Sequence, residues 1–203
     1  MRYQNQLVYG FHGIDKDIGL QILKQEQEFK LSDNQYDWLG EGIYFWENNL
    51  ARAWQYAETA KKRKNSSIKT PYVLGAILEL GHCLDLLNQE YLEFLSKSYD
   101  LLKQGLLAEG KQLPKNTGFN PNDFDFKKPE LDCAVIRMAH SYMKKSCGIH
   151  FDSVRAAFWE REELYEGAGF RKQNHIQIAI LNPNCIKGVF LPRDKASVGW
   201  VER

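Results

Sequence analysis

The chain has 203 residues, with 27 Lys or Arg against 26 Asp or Glu and a formal net charge of +1, so whole-chain charge singles out no class of ionic partner. Its hydrophobic fraction of 43% excludes a disordered chain, and the length suits one domain, or one domain carrying a large insertion. The cysteines, Cys83, Cys133, Cys147 and Cys185, form no C-x-x-C pair, and no apolar run is long enough for a signal peptide or membrane span. A metal-free cytoplasmic protein without membrane contact is expected, each cysteine serving as a small buried hydrophobe.

In chain order, QLVYGF (6–11) reads as a short strand ending at His12-Gly13. Asp15 can cap the following helix, on which Ile18, Ile22 and Leu23 fall at helical spacing. LSDNQYDWLGEG, polar with two glycines, is a loop. EGIYFW is a strand, and alternation puts Ile43 and Phe45 on the core side and Tyr44 and Trp46 on the other. Asn48 or Asn49 then caps a helix facing inward through Leu50, Ala53, Trp54 and Ala57. The basic run Lys61, Lys62, Arg63, Lys64 reads either as a solvated helix end or as a phosphate-facing patch.

PYVLGAILELG, almost continuously apolar, suits the middle of a sheet. Residues Leu87 to Leu106 form an amphipathic helix. The proline-rich KQLPKNTGFNPNDFDFKKPE is a long loop, so that 85–130 reads as a helical and loop insertion. Pro129 opens a further helix with Leu131, Val135, Met138 and Tyr142 on one side. The remainder is strands: FDSVRAAFW, a charged turn EREELYEGAGF, HIQIAIL and CIKGVFLP. In HIQIAIL, Ile176, Ile178 and Ile180 alternate with His175, Gln177 and Ala179, as in a half-buried strand with Gln177 and His175 outward. Strands clustered late, with no repeating βαβ unit, predict an α+β fold. His82, His140 and His150 lack metal-ligand spacing and read as structural.

Three strand-borne signals stand in order: His12-Gly13, Tyr44 behind a glycine turn, and Gln177 behind a charged turn. The string FHG, then about thirty residues, then G-x-G-I-Y-F followed by a helix, resembles the ADP-ribosyltransferase superfamily of the diphtheria-toxin and poly(ADP-ribose) polymerase type. The resemblance covers roughly residues 7 to 60 and 150 to 192 and leaves 85–130 without a counterpart. It implies a split β-sheet core with flanking helices around an NAD cleft, and a His-Tyr-Glu triad on three strands. His12 would hydrogen-bond the 2′-hydroxyl of the nicotinamide ribose, and the Gly13 backbone would bind the carboxamide, its missing Cβ allowing close approach. Tyr44 would stack on the nicotinamide, with Trp54 or Tyr56 as the opposing ring. Ser32 and Asn34 would contact the adenosine ribose or the diphosphate, and Arg155 would anchor the NAD phosphates or pair with an acid of the charged turn.

The third triad position departs from the family, because a glutamine, Gln177, stands where the glutamate belongs. A carboxylate stabilises the oxocarbenium character that develops as the nicotinamide–ribose bond breaks, whereas an amide hydrogen-bonds without charge and cannot act as a base. That argues for transfer of single units rather than polymer elongation, with Glu160 and Glu163 of the preceding turn as candidate replacement acids. The functions implied are mono-ADP-ribosylation of a protein or nucleic-acid acceptor by a prokaryotic or phage toxin, effector or defence protein with an antidote partner; NAD hydrolysis; or a silent module that binds NAD or ADP-ribose. An RNA 2′-phosphotransferase of the same fold would want a more basic cleft.

Overall fold

The computed structural model describes residues 4–35, 37–118 and 128–193. Among these, the elements are β1 (Gln4–Asp15), α1 (Lys16–Leu23), β2 (Ile43–Glu47), α2 (Leu50–Lys61), β3 (Pro71–Gly81), β4 (Cys83–Asp85), α3 (Gln89–Ala108), β5 (Asn116–Thr117), β6 (Lys128–Pro129), α4 (Glu130–Cys147), β7 (Ser153–Glu163), β8 (Arg171–Ile180) and β9 (Ile186–Phe190). The fold is α+β, built on one seven-stranded sheet in the order β4-β7-β8-β2-β1-β3-β9, while β5 and β6 pair separately. Every pairing is antiparallel except β4 with β7. No described helix is long and apolar enough to cross a membrane.

Polar side chains at the helix starts explain where the helices begin. Asp15 accepts the Asp17 N–H that α1 leaves unpaired, and it also receives the N–H groups of Lys69 and Thr70 at 2.8 and 2.9 Å. Asn49 caps α2 through the Arg52 N–H, and Asn88 caps α3 through the Glu90 N–H. Helix α4 ends where Gly148 takes up a left-handed conformation, φ 65°.

The middle of the sheet is buried on both sides. Ile43, Phe45, Leu78, Leu80, Ile178 and Ile180 fill one face. Leu84, Val154 and Ala179 fill the other, beneath Tyr91 of α3 and Ile136, Ala139 and Met143 of α4, and α2 continues that cover over Trp46 and Val73 through Ala53. The expected half-buried strand is therefore buried on both faces over Ile178, Ala179 and Ile180, because the α3–α4 pair covers its second side.

Other expectations are corrected by the same packing. His175 is buried rather than exposed, with its ring stacked on Phe158 at 5.5 Å. Cys147 is exposed in the last turn of α4. On α4 the inward residues are Cys133, Val135, Ile136, Ala139 and Met143, and Tyr142 faces out. Strand β7 runs on through Glu163, so Glu160 and Glu163 sit on a strand with a register shift between them, at which Arg161 has φ 71°. Part of the proline-rich loop, 119–127, lies outside the described residues.

Candidate functional site

The sheet parts between β1 and β2. Their ladder is confined to Gly10↔Glu47 and Phe11↔Trp46, whereas β1 continues along β3 as far as Asp15↔Pro71. At the parting, His12 Nδ1 lies 2.7 Å from the Tyr44 carbonyl oxygen. A carbonyl only accepts, so Nδ1 carries the proton, and burial holds the ring below the usual histidine pKa range and hence neutral. Nε2 is left as the acceptor nitrogen.

Residues opposite each other in a ladder project on the same side. Tyr44↔Ala179 and Trp46↔Gln177 therefore put Tyr44, Trp46 and Gln177 on one face, beneath α2 and α4. His12 goes to the other, where its ring lies 5.2 Å from that of Phe29 and 5.5 Å from that of Phe45. The histidine thus meets Tyr44 through the tyrosine's backbone, at the edge where the two strands separate.

Tyr44 is fixed at both ends. Its hydroxyl donates to the Gly40 carbonyl at 2.6 Å and accepts from the Leu39 N–H at 3.0 Å, and burial pushes its pKa well above the normal range. The loop before it closes through paired backbone bonds between Ser32 and Gly42. Gly40, at φ 75°, supplies the left-handed turn this closure needs. Ser32 and Asn34 are both engaged by Asp37: Ser32 Oγ donates to its carboxylate at 2.7 Å, as does the Asn34 N–H. Asp37 was not among the expected residues, although an acid three positions after Asn34 is a turn signal.

Gly13 lies beneath α2. A Cβ on it would fall 2.6 Å from the Ala53 carbonyl oxygen and 3.1 Å from the Tyr56 ring. Tyr56 packs on Trp46 at 4.9 Å between ring centroids, and the Arg63 guanidinium lies 5.6 Å from its centroid. Trp54 is half-buried in the same cluster. Arg52, which the sequence did not single out, sits over Trp46, and both Arg52 Nε and Trp46 Nε1 are buried donors without a hydrogen-bond partner among the described residues.

The acids expected to replace the missing glutamate are not brought to Gln177. Gln177 faces Ala156 across the β7–β8 ladder, and Glu160 lies four residues further along β7, roughly 13 Å of strand. There Glu160 binds Arg52 of α2 at 2.6 Å and stands 4.0 Å from His175 Nδ1. Glu163 is further out still, accepting the Gly167 N–H and lying 3.8 Å from Arg171. Arg155 pairs with neither. It grips Glu47 bidentately at 2.6 and 2.8 Å and reaches Asp85 at 3.3 Å, at a cavity of about 240 Å³ also lined by Val8, Asn48 and Leu80. Both partners are distant in sequence, which hid the pairing. Among the described residues, no group of His, Cys, Asp and Glu could hold a metal ion.

The chain is 26% identical over 207 aligned positions to an uncharacterized protein of Methanocaldococcus jannaschii, a match spanning 92% of this chain and 87% of that one. No protein-family model and no solved structure matches it.

Proposed function

We propose that the protein is an NAD-dependent mono-ADP-ribosyltransferase of the His-Tyr-Glu superfamily, with the glutamate replaced by Gln177. The observation that carries this reading is the His12–Tyr44 junction at the parting of β1 and β2. There a neutral imidazole, its Nδ1–H committed to the strand, presents Nε2 as an acceptor for a ribose hydroxyl. The two rings flank the parting from opposite faces of the sheet, so a ligand that meets both enters the gap between the strands. The anchored hydroxyl holds the Tyr44 plane fixed, so stacking requires no further ordering of that side chain. Tyr56 or Trp54 supplies the second ring.

Gln177 shares the face of Tyr44 and offers one acceptor and two donors without charge. Stabilisation of a developing ribosyl cation then comes from hydrogen bonding and exclusion of water rather than from a carboxylate, which suits single transfers to an acceptor that is itself a good nucleophile. Glu160, held by Arg52 about four strand residues away, acts as a tie between α2 and β7. The same glutamine supports a second reading, a module that binds NAD or ADP-ribose without cleaving it.

Incubating the protein with labelled NAD and cell extract, split afterwards into protein and nucleic-acid fractions, tests the proposal. Label in one fraction, lost in both His12→Ala and Tyr44→Ala, is the expected result. Free ADP-ribose without a labelled acceptor identifies hydrolysis, and intact NAD in every condition identifies the binding module.

A further inference from the structure

Charge is distributed unevenly in this nearly neutral chain. Between residues 58 and 69 stand five basic side chains, Lys61, Lys62, Arg63, Lys64 and Lys69, against the single acid Glu58, in a chain of net charge +1. All five are exposed, and among the described residues Lys61, Lys62 and Lys64 enter no ion pair. The negative C-terminal end of α2 accounts for a cation in its last turn, Lys61, but that effect fades within a turn and does not account for Lys64 or Lys69.

The segment is also built in place. Arg63 and Ser66 donate backbone hydrogen bonds to Ala60 and Arg63, Ile68 is buried against Ala57 and Ala60, and Asp15 receives the N–H groups of Lys69 and Thr70. These anchors hold the charges beside the end of β1 that carries Gly13, with Arg63 against the Tyr56 ring. A cationic surface therefore stands at the mouth of the parting between β1 and β2. It differs from a membrane-binding segment in having no exposed apolar residue: the only ones in the run, Ala60 and Ile68, are buried.

We infer that this α2–β3 connection binds a phosphate backbone and that the acceptor is a nucleic acid, a refinement that rests on the transferase reading above. Cations clustered on one anchored connection neutralise neighbouring phosphates.

The test is binding, read without NAD, so that it succeeds or fails independently of catalysis. Labelled short DNA duplexes and RNA strands are titrated with the wild-type chain and with Lys62→Gln/Lys64→Gln, both positions exposed and outside the proposed NAD site. For five contacts on a duplex, affinity should fall by a few hundredfold between about 50 and about 200 mM salt, and by only about fortyfold in the double variant. NAD cleavage by the double variant should match wild type, while transfer to oligonucleotides should drop. Absence of oligonucleotide binding, or an unchanged salt slope in the variant, overturns the inference. Stronger binding to phosphatidylserine vesicles or to polyglutamate than to either oligonucleotide also overturns it, and reassigns the surface to a membrane or to an acidic protein.

Discussion

Replacing Gly13 with alanine separates two reasons for a glycine there. If the glycine served only to let a ligand approach the backbone, alanine would lower activity and leave stability alone. In the structure the new methyl would lie 2.6 Å from the Ala53 carbonyl oxygen and 3.3 Å from the Ala57 Cβ, so α2 must move outward by several tenths of an ångström. Overpacking of this kind costs about 1–3 kcal/mol, partly offset by the roughly 0.5–1 kcal/mol that alanine gains over glycine in an element interior. The net loss is about 0.5–2 kcal/mol, which for a chain of this size lowers Tm by roughly 1–8 °C. Calorimetry or thermal melts by circular dichroism on Gly13→Ala read this directly. An unchanged or raised Tm would refute the packing argument and return Gly13 to a purely ligand-facing role.

Three further outcomes follow from the charges inside the fold. Asp15→Ala removes the acceptor for three backbone N–H groups and should destabilise by about 2–4 kcal/mol in urea unfolding. Burial opposes ionisation of Asp15, but the Thr70, Lys69 and Asp17 N–H groups outweigh it and hold its pKa below normal; the stabilisation is complete above the unfolded value and is lost as pH falls through the folded one. Burial also lowers the His140 pKa to about 4, so the unfolded chain takes up that proton first and stability falls as pH drops from about 6.5 toward 4. The loss is on the order of 3 kcal/mol, and His140→Phe should remove that slope from melts recorded across the range. Arg155→Ala strands the largely buried Glu47 and should cost about 3–5 kcal/mol, whereas Arg155→Met with Glu47→Met should recover most of it in a double-mutant cycle.

What was legible in the sequence was local. Asp15 and Asn49 were readable as caps because a cap needs only an oxygen side chain before a helical pattern, and alternation alone placed Ile43 and Phe45 inward. The double burial of β8 was not readable, since Ala179 looks the same on a strand whether α3 and α4 lie above it or water does. The extent of β7 was hidden for a related reason: Glu160, Glu162 and Glu163 look like a turn, and only pairing with β8 makes a strand of them. At the candidate site, the residues on β1, β2 and β8 could be named in order, but not the partners that determine what each can do. Arg52 with Glu160, and Arg155 with Glu47, are each 108 positions apart, and no local pattern announces a pair at that distance. His12 illustrates both halves: its position was legible, whereas its bond to the Tyr44 carbonyl, which sets its tautomer, belongs to the tertiary structure.

The central claim, that NAD is cleaved at the junction of His12, Tyr44 and Gln177, is tested most directly by nicotinamide release from NAD, followed chromatographically for wild type, His12→Ala and Gln177→Glu. Restoring a carboxylate at position 177 should raise the rate by at least tenfold if that side chain faces the ribose, and His12→Ala should abolish release while the variant remains folded. Equal rates in all three proteins, or release that survives the loss of the His12 ring, would contradict the account.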